Sequence, residues 1–197
     1  MGIWKIRMNF IEKINISVDL EQAQKDLNEL LEYHPWPPED FVRKSSGNQI
    51  GVSFRPDAAN PWLDADGSLI DKQTGEILGK ESDFTEINPF LPSYTRTILN
   101  QLSKQQDTRF GRIRYMRLMP KTGLTIHSDT ERRYHLALET NPFALLGEYT
   151  GGGAMAASCY HIPADGHFYY INTVKPHFVY NGGWEPRIHL VISEVLT

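Results

Sequence analysis

The segment LTIHSDTERRYHLAL, residues 124 to 138, sets His127, Ser128 and Asp129 in sequence, then places Arg132, Arg133 and His135 inside an otherwise apolar run. In an extended chain residues i and i+2 face the same side. An imidazole nitrogen of His127 and a carboxylate oxygen of Asp129 can therefore reach one ion, and a third ligand is needed. Among the later histidines, His177 in VKPHFVYNGGWEPRIHLV opens an apolar run ten residues before Arg187. Two imidazoles and one carboxylate on one face of an octahedral ion leave three positions open, as in non-haem Fe(II) oxygenases. Open positions imply chemistry at the metal, whereas a structural zinc site is closed and usually built from thiolates. An isolated H-x-D pair more often caps or turns than ligates. A histidine 48 residues after the aspartate and an arginine ten residues further make the combination far more specific.

Two strand-like runs repeat one pattern. In RRYHLAL, Arg133, His135 and Ala137 share a face against Tyr134, Leu136 and Leu138; in RIHLVIS, Arg187, His189 and Val191 share a face against Ile188, Leu190 and Ile192. A single such strand reads as half solvated. Two with R-x-H on one face point to a polar barrel interior, and a buried guanidinium there requires an anion. A carboxylate held by two parallel hydrogen bonds is the economical partner.

The elements that must position these groups fall into two halves. Leu20, Ala23, Leu27, Leu30 and Leu31 recur at three and four residues, Asp19 can cap and Pro35 bars continuation, so the spacing predicts a helix over 18–33. A second helix is expected over 93–104, with Tyr94, Ile98, Leu99 and Leu102 on one side, and strand character returns at 49–54. After Phe110 the texture changes to RIRYMRLM, GLTIH, RRYHLAL, AASCYHI, HFYYIN, HFVYN and RIHLVISEV. Seven short strands so spaced predict a sandwich or barrel rather than a parallel sheet with crossover helices. The expected architecture is α+β with a mainly β core, and residues 1–197 read as a single domain.

Bulk properties exclude several functions. With 20 basic against 24 acidic residues the net charge is −4 and no basic face stands out, so nucleic acid is not an expected partner. Cys159 is the one cysteine, and charges interrupt the opening MGIWKIRMNFIEK every few residues, so a reducing cytoplasmic location without a leader is expected. No apolar segment approaches the roughly 18 residues that would span a bilayer, so no membrane association is expected.

The segments RYMRLMPKTGLTIHSD, RYHLALETN, NTVKPHFVYN and RIHLVIS, taken in order over residues 111–194, resemble the aspartyl/asparaginyl β-hydroxylase family of Fe(II)- and 2-oxoglutarate-dependent dioxygenases, which also holds bacterial proline hydroxylases. The resemblance implies a double-stranded β-helix, a cupin-like jelly roll, over 111–197. Residues 1–110 lie outside it and are expected to supply helices packed on that core and walls for the substrate. It implies His127, Asp129 and His177 as catalytic metal ligands, Arg187 as the arginine for the distal carboxylate of 2-oxoglutarate, and Arg133 and His135 as a lining of the cosubstrate pocket. Fe(II), 2-oxoglutarate and O2 are the implied cofactor and cosubstrates, and hydroxylation of a carboxylate-bearing amino acid or peptide side chain is the implied reaction. Met116 stands where some members carry a serine that helps hold the distal carboxylate.

Two other functions use the same residues: a cupin-like metal-dependent isomerase or lyase that does not use O2, and a non-catalytic sensor of 2-oxoglutarate. The basic groups near the core exceed what the cosubstrate needs. Alternation through RIRYMRLM puts Arg112 and Arg114 with Met116 and Leu118 on one face and Tyr115 with Arg117 on the other, so one set at most enters the site and meets an anionic or zwitterionic substrate. The stretch DADG, residues 64–67, lacks the spacing of a calcium loop, with Leu69 and Gly75 where Gly and Glu are required. GGGAM, residues 151–155, reads as a hairpin or lid, His161 and His167 as exposed hairpin histidines, Trp36, Phe41, Phe54 and Trp62 as core aromatics, and Cys159 as a small buried residue.

Overall fold

A computed structural model describes residues 9–36, 48–71, 73–151 and 156–195. In the N-terminal half, β1 (Ile11–Ser17) leads into helix α1 (Leu20–Tyr33), followed by β2 (Asn48–Gly51), β3 (Ser53–Phe54), a 3-10 turn η1 (Glu81–Asp83), β4 (Glu86–Ile87) and helix α2 (Ser93–Gln106). The C-terminal half is β5 (Arg109–Leu118), β6 (Thr122–His127), β7 (Arg133–Glu139), β8 (Ala144–Tyr149), β9 (Ala157–His161), β10 (His167–Ile171), β11 (His177–Asn181) and β12 (Arg187–Val195).

Local chemistry accounts for the helices. Asp19 accepts the N–H of Gln22 and starts α1, whose Ala23, Leu27 and Leu30 are buried. Each large apolar side chain so buried contributes roughly 1.5–3 kcal/mol relative to exposure. The start of α2 has no cap of its own beyond Pro92, and the buried Asp26 of α1 supplies one. Its Oδ2 accepts the N–H and the hydroxyl of Thr95 at 2.7 and 2.8 Å. One carboxylate thus satisfies an orphan donor of α2 and ties the two helices together.

The strands form two antiparallel sheets, one ordered β1-β10-β7-β12-β5-β2 and the other β6-β11-β8-β9, with β3 and β4 forming a separate pair. From β5 onward the chain passes repeatedly between the two sheets, which is a double-stranded β-helix. Period-2 alternation then divides the large sheet into two faces. Tyr115, Tyr134, Leu136, Leu138, Leu190 and Ile192 point to the side covered by α1 and α2, where they join Leu27, Leu30, Ile98 and Leu102. Ala137, Tyr169 and Ile171 point to the other side, against Leu146 and Val179 of the small sheet.

Strands β1, β4 and β8 are absent from the sequence reading. Charged and polar residues alternate with Ile14 and Ile16, both buried, so residues 11–17 form an edge strand on β10. Strand β8 escaped because Gly147 interrupts its apolar run. A Cβ there would lie 2.1 Å from the Phe178 ring, so the packing of that ring requires glycine. Cys159 is also corrected: it is exposed on β9. Phe41 and residues 152–155, which hold most of GGGAM, lie outside the described residues. Among the described residues no helix is long and apolar enough to cross a membrane.

Candidate active site

One open end of the barrel is closed by the turns after β6 and β10, which Asp129 ties together by donating its N–H to the Thr173 carbonyl at 2.9 Å. His127 ends β6 and His177 begins β11, and the two are directly paired across that ladder. Their rings lie 4.3 Å apart between centroids. Nε2 of His127 is 3.8 Å from Asp129 Oδ1, and Nε2 of His177 is 3.6 Å from Asp129 Oδ2. One donor atom from each of the three lies within 4.8 Å of the others, and no other such group of three occurs among the described residues.

The backbone fixes which nitrogen each imidazole presents. Nδ1 of His127 lies 2.7 Å from the Thr125 carbonyl, and Nδ1 of His177 lies 3.0 Å from the Lys175 carbonyl. A carbonyl only accepts, so each Nδ1 carries the proton and each Nε2 lone pair faces Asp129, the orientation that metal-binding histidines take from a second partner. Burial, only partly offset by Asp129, lowers the pKa of His177. It is therefore neutral at pH 7, as ligation requires. Asp129 Oδ2 is buried with no hydrogen-bond partner. A buried carboxylate oxygen between two imidazole lone pairs is costly as it stands and is satisfied by a cation. The three residues fit a divalent ion of mixed nitrogen and oxygen preference.

The remaining oxygen of Asp129 is held by Arg133 of β7, which Glu81 of the N-terminal half engages in turn. Nη2 of Arg133 lies 2.9 Å from Asp129 Oδ1 and 3.4 Å from Glu81 Oε1. Glu81, 5% exposed, also accepts from Nε and Nη2 of Arg112 at 2.8 and 2.7 Å and from the Ser193 hydroxyl at 2.9 Å. Burial alone would push its carboxyl up, but Arg112, Arg133 and Arg114 outweigh that and hold it at about 2. Gly111 permits this reach, because a Cβ on it would lie 2.1 Å from the Glu81 carbonyl oxygen. The sequence reading missed Glu81. Its one signal was an acid in a turn-rich segment, which says nothing about a partner 31 residues away.

On the inner face of β12 stands Arg187, 6% exposed and without a carboxylate partner among the described residues. Its Nε and Nη2 approach Nε2 and Nδ1 of His189 at 3.0 and 2.8 Å. A neutral imidazole offers one lone pair, so at most one approach is a hydrogen bond. Burial lowers the Arg187 pKa to about 9 and those of His135 and His189 well below the ordinary histidine value. His135 Nδ1 sits 3.3 Å from His189 Nδ1, while its Nε2 is buried without a partner. A buried cation flanked by neutral imidazoles, one with an idle ring nitrogen, fits a carboxylate. His189 stands opposite Met116 on β12.

The structure brings together His127, Asp129 and His177 as one group, Arg133 beside Asp129, and Arg187 beside His189 and His135. The polar faces of β7 and β12 line the barrel interior, where His135, Arg187 and His189 are buried and Arg133 is partly exposed. Arg112 and Arg114 are the set that turns inward; Arg117 points to the other side and lies over Trp36 at 4.8 Å. Asp64 of the DADG stretch is engaged by the backbone and guanidinium of Arg55. His161 and His167 lie apart from the group of three, bonded to the Ala144 and Asp165 carbonyls.

A family model described as aspartyl/asparaginyl beta-hydroxylase matches residues 73–195. Among curated proteins none matches. Among solved structures the chain is similar to a Pseudomonas putida prolyl-4-hydroxylase, at 10% identity and TM-score 0.56, over 96% of this chain and 94% of that one. It is similar to an oxidoreductase of the 2OG-Fe(II) oxygenase family from Burkholderia pseudomallei, at 13% identity and TM-score 0.54, covering 94% and 84% of the two chains. A third is HygX from Streptomyces hygroscopicus, with nickel and 2-oxoglutarate bound, at 10% identity and TM-score 0.55, covering 95% and 83%. At these identities the structural likeness speaks for the fold.

Proposed function

The chain belongs to the aspartyl/asparaginyl β-hydroxylase family and is a 2-oxoglutarate-dependent hydroxylase; we propose that His127, Asp129 and His177 hold its Fe(II), that Arg187 receives the distal carboxylate of 2-oxoglutarate, and that its substrate is a carboxylate-bearing amino acid or peptide side chain. The observation that carries the ligand assignment is the convergence of both Nε2 atoms on Asp129, whose Oδ2 is buried and unpartnered. When bound, iron and 2-oxoglutarate supply an O2-dependent oxidation that places one oxygen atom in a C–H bond of the substrate and converts the cosubstrate to succinate and CO2.

The chain's own residues orient and exclude. The Thr125 and Lys175 carbonyls aim the two imidazoles, and Arg133 engages Oδ1 of Asp129 so that Oδ2 is left for the ion. Arg187 fixes the far end of the cosubstrate, with His135 and His189 kept neutral beside it. The apolar cluster of Ala137, Leu146, Ile171 and Val179 packs between the two sheets and excludes water there. An isomerase or lyase would need no second anion site, so the buried unpaired Arg187 favours the 2-oxoglutarate reading. The test is oxygen consumption matched to succinate release over a panel of free amino acids and short acidic peptides. Turnover without oxygen consumption contradicts the proposal.

A further inference from the structure

The three candidate ligands are not held alike. His127 ends β6 and His177 begins β11, so the backbone of each is fixed by the ladder that pairs them. Asp129 has no such support, because residues 128–132 connect β6 to β7 and belong to neither strand. Connecting segments are more mobile than the elements they join. A carboxylate on one keeps its place beside two imidazoles only if something outside the segment holds its backbone.

One residue of the neighbouring turn does so at two points. Thr173 lies between β10 and β11 and is 2% exposed. Its carbonyl accepts the N–H of Asp129 at 2.9 Å, and its hydroxyl donates to the Glu131 carbonyl at 2.6 Å. Any residue could supply the carbonyl; the second bond needs the hydroxyl. Together they grip the segment at Asp129 and two residues further on, which restrains it from pivoting. Thr173 is itself anchored, since its N–H donates to the Ile171 carbonyl at 2.9 Å and that of Asn172 donates to the Phe10 carbonyl at 2.8 Å. The same turn carries Lys175, whose carbonyl aims His177. A slip of Asp129 against Thr173 therefore moves the carboxylate against that imidazole.

We propose that Thr173 is a positioning residue of the metal site: its hydroxyl, by holding the Glu131 carbonyl, sets where the Asp129 carboxylate stands relative to His127 and His177. The assignment rests on the proposed ligand set. Arg133 engages the carboxylate itself through Oδ1, and Thr173 fixes the backbone that carries it. Metal–ligand distances tolerate only about 0.2 Å, so a small pivot of residues 128–132 is enough to weaken the third bond.

The experiment titrates the full chain with Co(II) alone and reads both the dissociation constant and the visible absorption of the bound ion. Thr173→Val removes the hydroxyl and keeps the shape. It is expected to weaken Co(II) binding about tenfold, as is typical for outer partners of metal ligands, and to alter the visible bands as the carboxylate leaves the ion. Thr173→Ser keeps the hydroxyl and is expected to recover most of the wild-type constant and spectrum. The effect must pass through the carboxylate, so in an Asp129→Ala background Thr173→Val is expected to cost less than about twofold more. A Thr173→Val protein with the wild-type constant and spectrum overturns the proposal. So does a Thr173→Ser protein as weak as the valine variant, or a tenfold loss that persists in the Asp129→Ala background. Should Thr173→Val not fold, Thr173→Ala takes its place, and if neither folds the hydroxyl serves the fold at large and the proposal falls. Wild-type protein that binds no divalent cation would instead overturn the ligand set on which it rests.

Discussion

Glu81 Oε1 and Asp129 Oδ1 lie 3.4 and 2.9 Å from the same nitrogen, Nη2 of Arg133. A residue of the N-terminal half therefore holds the cation that holds the candidate carboxylate ligand. Outer partners of metal ligands typically contribute ten- to a hundredfold to affinity, so Glu81→Gln is expected to weaken metal binding by about tenfold. Metal titration of the folded variant checks this. An unchanged metal constant would show that Arg133 positions Asp129 without Glu81.

Glu81 also links stability to acid pH. Its carboxyl sits at about 2 in the folded protein against an ordinary 4.5. A group whose folded pKa is depressed contributes stability above its unfolded pKa and loses it as pH falls toward the folded one. The shift corresponds to roughly 3 kcal/mol at most. Burial holds the partner Arg112 below its ordinary value, so the pair's net contribution is smaller. The expected result is a stability loss between about pH 4.5 and 2 that is reduced in Glu81→Gln, measured by urea unfolding across that window. Identical pH slopes in the two proteins would contradict it.

Removing either imidazole should abolish the ion site. His127→Ala and His177→Ala are expected to show no iron binding at micromolar metal, whereas Asp129→Ala binds weakly and is inactive. Full activity in Asp129→Ala would place that carboxylate outside the metal's coordination.

Arg187→Lys keeps a charge but loses the planar fork. One charge-assisted pair is worth roughly 1.5–3 kcal/mol, so the 2-oxoglutarate constant should rise about ten- to a hundredfold. Burial lowers the Arg187 pKa from its ordinary value, but a guanidinium stays charged through the working range. Wild-type 2-oxoglutarate affinity should thus be level from about pH 7 to 9. A tenfold change in affinity over that window would contradict the assignment of this arginine.

The parts of the site legible in the sequence are those that repeat at short range. His127 and Asp129 are two residues apart, Arg133 and His135 share a strand face, and Arg187 and His189 repeat that pattern, so local geometry alone predicts their common orientation. The helices were legible because Asp19, Pro35 and the spacing of Leu27 and Leu30 are local signals. Glu81 was not, since its role depends on Gly111 letting a 3-10 turn settle onto β5, a contact between distant segments. Arg114 and Arg112 looked equivalent by alternation, and only tertiary contact commits Arg112 to Glu81 and Arg114 to the Ala65 carbonyl. Strand β8 was hidden for a similar reason, because Gly147 answers to Phe178 across the sheet and carries no strand signal of its own.

Anaerobic addition of Fe(II) followed by 2-oxoglutarate tests the central claim most directly, because it needs no knowledge of the substrate. Wild-type protein is expected to develop the weak visible charge-transfer band of a 2-oxoglutarate–iron chelate, saturating with both components, and His177→Ala is expected to show none. A wild-type protein that binds iron but develops no band, with no measurable binding of 2-oxoglutarate, would contradict the account.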